Sequence, residues 1–555
     1  MIRSRKTRLR SAIVAAGVGT SLVAVTLVGS PAATAAAPVS ETAGAAAAPA
    51  PRYDVDGDGV TDRLERTTDG TTRIVLSGTR TASPFTVGQN TDAENRPKDI
   101  VPVGNLYGTS APDLLALWSN GELTAHEASG TGGTTYRYPI GTGWQMFNKI
   151  LSPGDVTGDG RPDVLGRTPE GVLYIYRSNG TSGFFATRAQ VGSGWQTYDQ
   201  LVGTGDVDGD RIGDILGRTV AGDLYFYKGT GSSTGAPFRT RVKVGYGFQM
   251  FNQLIVADDL NVDGRADFLA RTPDGAVYRY PASGGGKFAP RTVHSSGAQS
   301  VRLYAGGGGV PAYGKHELVT IDGNNDIRWW PTPANGRLGT PVPSGTYHKG
   351  YFEGTLSSAL DEKDRAHLVE IGPGYAWAEG VGYLGQGEEW NRYWTIAGPG
   401  DLTGDGKGDV VGLGFDGSLY LHKSRKDVST QPLDNRVRVG GGWGVYDLLV
   451  SGGDHSGDGR PDLIARKYNG ELYLYKGTGS ATAPFATRVL IGGGWNTYTH
   501  LASPGDMTGD GRADLIGVNG AGDVYRYTAT GRSGTSTFAV RAKIASGWQG
   551  YEYVT

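Results

Sequence analysis

The clearest chemistry in this chain lies in a nine-residue acidic motif, Asp-x-oxygen-x-Asp-Gly-x-x-Asp in most copies, that occurs seven times. Positions 1, 3, 5 and 9 hold side-chain oxygens. They are Asp54, Asp56, Asp58 and Asp62 in the first copy, then Asp155, Thr157, Asp159 and Asp163, then Asp206, Asp208, Asp210 and Asp214. The fourth copy has Asp259, Asn261, Asp263 and Asp267, and the fifth Asp401, Thr403, Asp405 and Asp409. The last two have Asp454, Ser456, Asp458 and Asp462, and Asp506, Thr508, Asp510 and Asp514. Hard oxygen donors in a short, sharply turned loop suit calcium, which takes six to eight oxygens in irregular geometry. Glycines at positions 4 and 6, such as Gly158 and Gly160, permit the positive φ such a loop needs. An EF-hand would add flanking helices and an acid at position 12, which only the first copy has, at Glu65. The competing expectation is a set of Asp/Gly turns whose carboxylates only accept backbone hydrogen bonds. If calcium binds, its expected role is to staple the loop.

These loops need a scaffold that repeats with them. Neighbouring motifs start 51, 53, 53 and 52 residues apart, and the two longer gaps leave room for one and two degenerate copies. Asn105 to Asp113 fills the first gap, and the stretches after His316 and His367 fill the second. Ten units of about 50 residues signal a propeller or solenoid. Within one unit, Trp144–Ser152, Val164–Thr168, Val172–Tyr176 and Phe184–Val191 read as four strands joined by turns, one propeller blade. Third strands such as Leu224-Tyr225-Phe226-Tyr227 are apolar on both faces, as expected of a sheet packed between two neighbours. The expected fold is an all-β propeller of about ten four-stranded blades, as one large ring or two smaller ones. The C-terminal segment from Trp548 reads as a first strand without a motif after it, expected to complete the blade of the Asp54 unit.

A second recurring feature is Trp-x-x-aromatic, headed by Trp144, Trp195, Trp443, Trp495 and Trp548, with Phe248 and Trp390 in the same register. Residues at i and i+3 of a strand point to opposite faces, so either one ring is exposed or the strand begins with a turn at the Trp. Inter-blade packing is the plain reading. The sharper one is a sugar platform at each junction, with the Gln or Asn after the Trp bonding hydroxyls and weak sites adding through multivalency. Residues 298–390 depart most from the repeat and gather Trp377, His367 and several acids. They are either decayed blades or a specialised site.

The 92 glycines, about one residue in six of the 555, have no collagen period, and 54 aromatics argue against disorder. Arg3 to Arg10, an apolar run from Ala12 to Val28 and Ala33-Thr34-Ala35 read as a secretory signal over residues 1–35. Without the five basic residues of that segment, 48 basic face 55 acidic side chains, a net −7 that offers no footprint for nucleic acid or an anionic membrane. Residues 36–53 read as an Ala/Pro linker. The absence of cysteine excludes disulfides, thiolate metal sites and cysteine nucleophiles. No His-Glu-x-x-His or phosphate loop occurs. The Gly-x-Ser-x-Gly at Gly231–Gly235 lies in a turn rather than between a strand and a helix.

Motif, blade length and flanking strands resemble the FG-GAP or VCBS repeats of integrin α-chain propellers, calcium-containing fungal propeller lectins and many secreted bacterial proteins. The leader and phrases such as GPGDLTGDGKGD are similar to secreted actinobacterial members. The resemblance covers nearly all of 54–555 and is weakest in 298–390. It implies calcium-stabilised propellers that bind glycan or protein, often beside a separate catalytic domain. The expected organisation is repeats 1–5 over 54–297, degenerate repeats 6–7 over 298–390, and repeats 8–10 with the closing strand over 391–555. The expected protein is secreted, holds several structural Ca2+ ions and binds an extracellular glycan or protein without catalysis. The alternatives are an assembly subunit for a partner and a calcium-dependent polysaccharide lyase.

Overall fold

A computed structural model describes residues 50–88, 96–135, 138–180, 184–312, 314–346, 352–358, 360, 366–378, 381–424 and 433–555. The expected signal segment and residues 36–49 of the linker lie outside the described residues. No helix among the described residues is long and apolar enough to cross a membrane.

The architecture is all-β. Among the described residues, ten four-stranded antiparallel blades follow one another, and a parallel bridge, Ser357 to Gly398, joins the sheets of blades 7 and 8. Blade 4 is typical, with strands Tyr198–Gly205, Asp214–Thr219, Leu224–Tyr227 and Val242–Gly245. Its Leu-Tyr-Phe-Tyr third strand alternates buried and half-buried positions, as a sheet between two neighbours does. Hairpins between second and third strands turn on glycine. Gly171 (φ 83°) donates to the Thr168 carbonyl at 2.9 Å, and a Cβ there would fall 1.8 Å from Gln196 Oε1 of the next unit.

The blades form two groups of five. Val301–Tyr304 returns to blade 1 and pairs with Arg63–Thr67, with Glu65 opposite Tyr304. Tyr551–Val554 pairs with Glu317–Asp322 of blade 6, with Ile321 opposite Tyr553. The C-terminal strand therefore closes blade 6 and not the Asp54 blade. Each group ends on a strand that supplies the first strand of its own first blade, so neither leaves that sheet edge unpaired.

Both ends of the first group are tied on its axis. Arg52, at the end of the expected linker, is buried: Nη1 donates to the carbonyls of Ser152 (2.5 Å) and Gly203 (2.7 Å), and Nε to Asp258 Oδ1 (2.6 Å). One guanidinium thus joins the first strands of blades 3, 4 and 5. The glycine run Gly306–Gly309 crosses the same group. Gly306 donates to Ile100 O and Gly308 to Leu254 O, each at 2.8 Å, while Leu201 donates to Gly308 O at 2.7 Å.

Candidate metal loops

In all seven loops the position-1 carboxylate organises the turn. Asp506 Oδ1 accepts from the amides of Gly509 (2.6 Å) and Asp510 (3.1 Å), and Oδ2 from Gly511 (2.8 Å). Equivalent bonds run from Gly57 and Gly59 to Asp54, from Gly158 and Gly160 to Asp155, and from Gly457 and Gly459 to Asp454. The backbone takes this form even without glycine. Arg211 sits at φ 71° and Val262 at φ 58°, at positions 6 and 4 of their loops.

Position 9 acts as a buried clamp. Asp214 Oδ2 accepts from Val207 N (3.0 Å) within the loop, and Oδ1 from Gly229 N (2.8 Å) beyond the next hairpin. Asp62, Asp163, Asp409, Asp462 and Asp514 repeat the pattern, and Asp267 accepts from Ala282. Positions 1 and 9 thus accept the backbone hydrogen bonds that an Asp/Gly turn would use with or without an ion. A carboxylate offers about four lone-pair sites, so these bonds do not exhaust its capacity.

Position 3 differs among the loops. Asp208 Oδ1, Thr403 Oγ1 and Thr508 Oγ1 are buried without a hydrogen-bond partner, Thr508 being only 6% exposed, whereas Thr157 Oγ1 and Ser456 Oγ donate to the position-1 carboxylates of Asp155 and Asp454. The acids at positions 1, 3 and 5 converge in the two all-acid loops: ligand oxygens of Asp54, Asp56 and Asp58, and of Asp206, Asp208 and Asp210, lie within 4.8 Å of one another. Unpaired inward oxygens beside clustered carboxylates are costly unless a cation or donor satisfies them. At position 9, burial raises the clamp acids: Asp62, Asp163 and Asp267 to about 6 and Asp214 to about 8. The donor set therefore fits a hard divalent cation. In the Asp206 loop an internal cation also competes, because Lys228 Nζ reaches Asp208 and, at 2.6 Å, Asp210.

The loops fall into two environments. Those of blades 1, 3, 4 and 5 expose Asp56, Asp58, Asp159, Asp210 and Asp263 to solvent. Those of blades 8, 9 and 10 face the first group. Asn148 Nδ2 donates to Asp458 O (2.5 Å), Asn252 Nδ2 to Thr508 O (2.9 Å) and Arg271 Nη2 to Gly509 O (3.0 Å). Arg512 adds an ion pair to Asp199 at 3.4 Å. A cavity of about 400 Å³ between the groups is lined by Lys98 and Asn148 on one side and by Asp401, Asp454 and Asp506 on the other.

The aromatic motif is a packing device. The strand does begin with a turn at the Trp: Trp195–Thr197 is a 3-10 turn capped by Gly194 at φ 88°. Both rings then turn inward, Trp195 at 7% and Tyr198 at 2% exposure, with Trp195 4.6 Å from Tyr227. Trp144, Trp443, Trp495 and Trp548 are likewise buried, against Tyr176, Tyr475, Tyr527 and Trp330. None presents a face for a sugar, and the following Gln lies against the preceding hairpin glycine, as Gln196 does at Gly171. The structure does not bring Trp377 and His367 together. Trp377 pairs with Glu370, three positions from His367, so the two leave opposite faces of blade 7.

One recurring residue escaped the sequence reading. Four residues after position 9, Arg167, Arg218, Arg271 and Arg466 are buried and donate to main-chain carbonyls of the next blade's turn, at Tyr198 (2.6 Å), Phe251 (2.5 Å), Val301 and Tyr498 (2.8 Å). Its signal was the repeated Gly-Arg and Ala-Arg after the strand's apolar pair, which marks a charge inside an otherwise apolar strand.

Comparison with known proteins identifies FG-GAP-like repeats at residues 155–217 and 454–517. No curated protein matches the chain. Among solved structures, the BP39L lectin from Burkholderia pseudomallei is similar at 13% identity and a TM-score of 0.23, over 72% of this chain and 99% of that one. The BBS1N fragment, crystallised in complex with ARL6DN, is similar at 12% identity and a TM-score of 0.23, over 51% and 77%. Likenesses this distant carry no argument about function.

Proposed function

Because this chain is a β-propeller carrying FG-GAP-like repeats, we propose that it is a secreted, calcium-stapled binding protein that engages an extracellular glycan without catalysis. The observation that carries the calcium assignment is the unpartnered buried oxygen at position 3, Asp208 Oδ1, in a loop where ligand oxygens of Asp206, Asp208 and Asp210 lie within 4.8 Å of one another. The residues that would hold each ion are those at positions 1, 3 and 5, with position 9 holding the loop closed. The ion would supply charge neutralisation and oxygen coordination to the loop, and no bond-making chemistry. Export is supported by the basic, apolar and small-residue order of residues 1–35. The stacked blades serve as a rigid frame, and ligand recognition falls to whichever junction departs from the common packing.

The test is a glycan array probed with the mature chain in calcium, with folding verified by circular dichroism. Calcium-dependent capture of a glycan class is the expected result. A folded, calcium-loaded protein that captures none would overturn the glycan reading and leave the assembly-subunit alternative.

A further inference from the structure

Eight of the residues that pack one blade on the next are replaced together where blade 5 meets blade 1. At the junction of blades 3 and 4, Ile175, Trp195, Tyr198 and Ile215 form an apolar seam against Tyr225 and Tyr227. Counting from the position-9 aspartates, Ala298 stands where Trp195 does and Val301 where Tyr198 does. Arg279 replaces Ile175, and Arg63 replaces Ile215. On the third strand of blade 1, Arg73 and Val75 stand for Tyr225 and Tyr227. His294 takes the place of Val191, and Glu65 that of Gly217.

Exchanging an indole for a methyl group leaves space that neighbours fill only in part. The space here is a cavity of about 380 Å³, with Ala257, Leu269 and Ala298 among its apolar lining. That volume falls in the range of small-molecule sites, roughly 300–1,000 Å³. Its charge is unbalanced. Arg63, Arg73, Arg80 and Arg279 line it against Glu65 and Asp58. Glu65, its side chain 2% exposed, accepts from Arg63 Nε (3.1 Å) and Arg73 Nε (2.7 Å), which fixes those two side chains. Arg279 stands 3.7 Å from Asp267, and its buried Nε has no hydrogen-bond partner. Arg80 is exposed at φ 56° and makes no ion pair among the described residues. The field registers on His294, which burial, then Arg63, Arg80 and Arg279, push down to about 4. Ser295 and Ser296 add hydroxyls, and Val75 and Leu76 an apolar wall.

We propose that this cleft binds a carboxylated sugar ring, a uronic acid, with Arg80 and Arg279 taking the carboxylate and the wall of Val75 and Leu76 taking the C–H face. A planar guanidinium matches a carboxylate through paired hydrogen bonds. The inference rests on the glycan-binding reading above, and the cleft borders the first acidic loop through Asp58.

Calorimetric titration of the mature chain with D-glucuronate, D-glucose and acetate tests it, alongside Arg80→Glu and Ala298→Trp. Glucuronate is expected to bind, with an affinity that falls as salt rises, while glucose and acetate do not bind at the same concentrations. Arg80→Glu, an exposed change, is expected to weaken glucuronate about tenfold or more. Ala298→Trp restores the indole of the other junctions and is expected to abolish binding with the β-sheet spectrum intact. Equal binding of glucose or acetate overturns the proposal, as does full affinity in both folded variants. Neutral glycans captured on the array without glucuronate binding overturn this cleft alone. No glycan on the array together with no glucuronate binding overturns both readings.

Discussion

At Val262 a β-branched side chain occupies φ 58°, a region that only glycine enters without penalty, and it does so 68% exposed. Packing offers nothing in return, so the loop itself imposes the angle. Val262→Gly is expected to stabilise the protein by up to about 1 kcal/mol, the left-handed penalty less glycine's entropic cost. A thermal melt in calcium reads this, and a lower melting temperature would contradict it. His422 gives a second residue-scale expectation. Its Nε2 meets the Tyr393 hydroxyl at 2.8 Å, its ring stacks on Trp390 at 4.2 Å, and burial pushes its pKa down to about 4. The folded state therefore holds His422 neutral while the unfolded chain protonates near the ordinary 6.5. Its contribution is complete above pH 6.5 and is lost as pH falls toward 4, about 3 kcal/mol in all. His422→Gln should flatten that part of the acid limb of a stability profile; an unchanged limb would contradict the assignment.

At the scale of elements, the sequence made the blades legible because each strand's pattern and each Asp/Gly loop recur in register. The Asp at position 9 was legible as an acid but not as a clamp, since its partner amide in Asp214 lies fifteen residues on, beyond a hairpin. The closing strand of the first group was hidden for a related reason. Val301–Tyr304 follows a turn at Ala298-Gln299-Ser300 that has the geometry of the Trp turns, with Gly297 at φ 80°, but none of their aromatics. The missing rings that concealed the element also open the arginine-lined cleft. The glycine run after it carried no periodic signal either, because close approach to other strands leaves no local pattern. At Gly308 a Cβ would fall 2.5 Å from Val202 Cγ2. Gly308→Ala is expected to destabilise the first group by about 1–3 kcal/mol. A chemical denaturation curve unchanged by that substitution would contradict the axial path described.

For the whole molecule, the division into two five-blade groups sorts the seven acidic loops. Four of the seven open to solvent, at Asp54, Asp155, Asp206 and Asp259, and three, at Asp401, Asp454 and Asp506, are enclosed against the first group. Chelation should therefore proceed in two phases, a fast loss from the exposed loops and a slow one that needs the groups to part. That division was beyond the sequence, where all seven motifs look alike and only the partners across the interface, such as Asn148 and Asn252, tell them apart. The most direct test of the central claim is native mass spectrometry of the mature chain, paired with melting curves in calcium and in chelator. Up to seven bound calcium ions are expected, with a large fall in melting temperature on chelation, since each site held at a hundredfold excess over its Kd adds about 2.7 kcal/mol. A metal-free mass in excess calcium, with superimposable melting curves, would contradict the account.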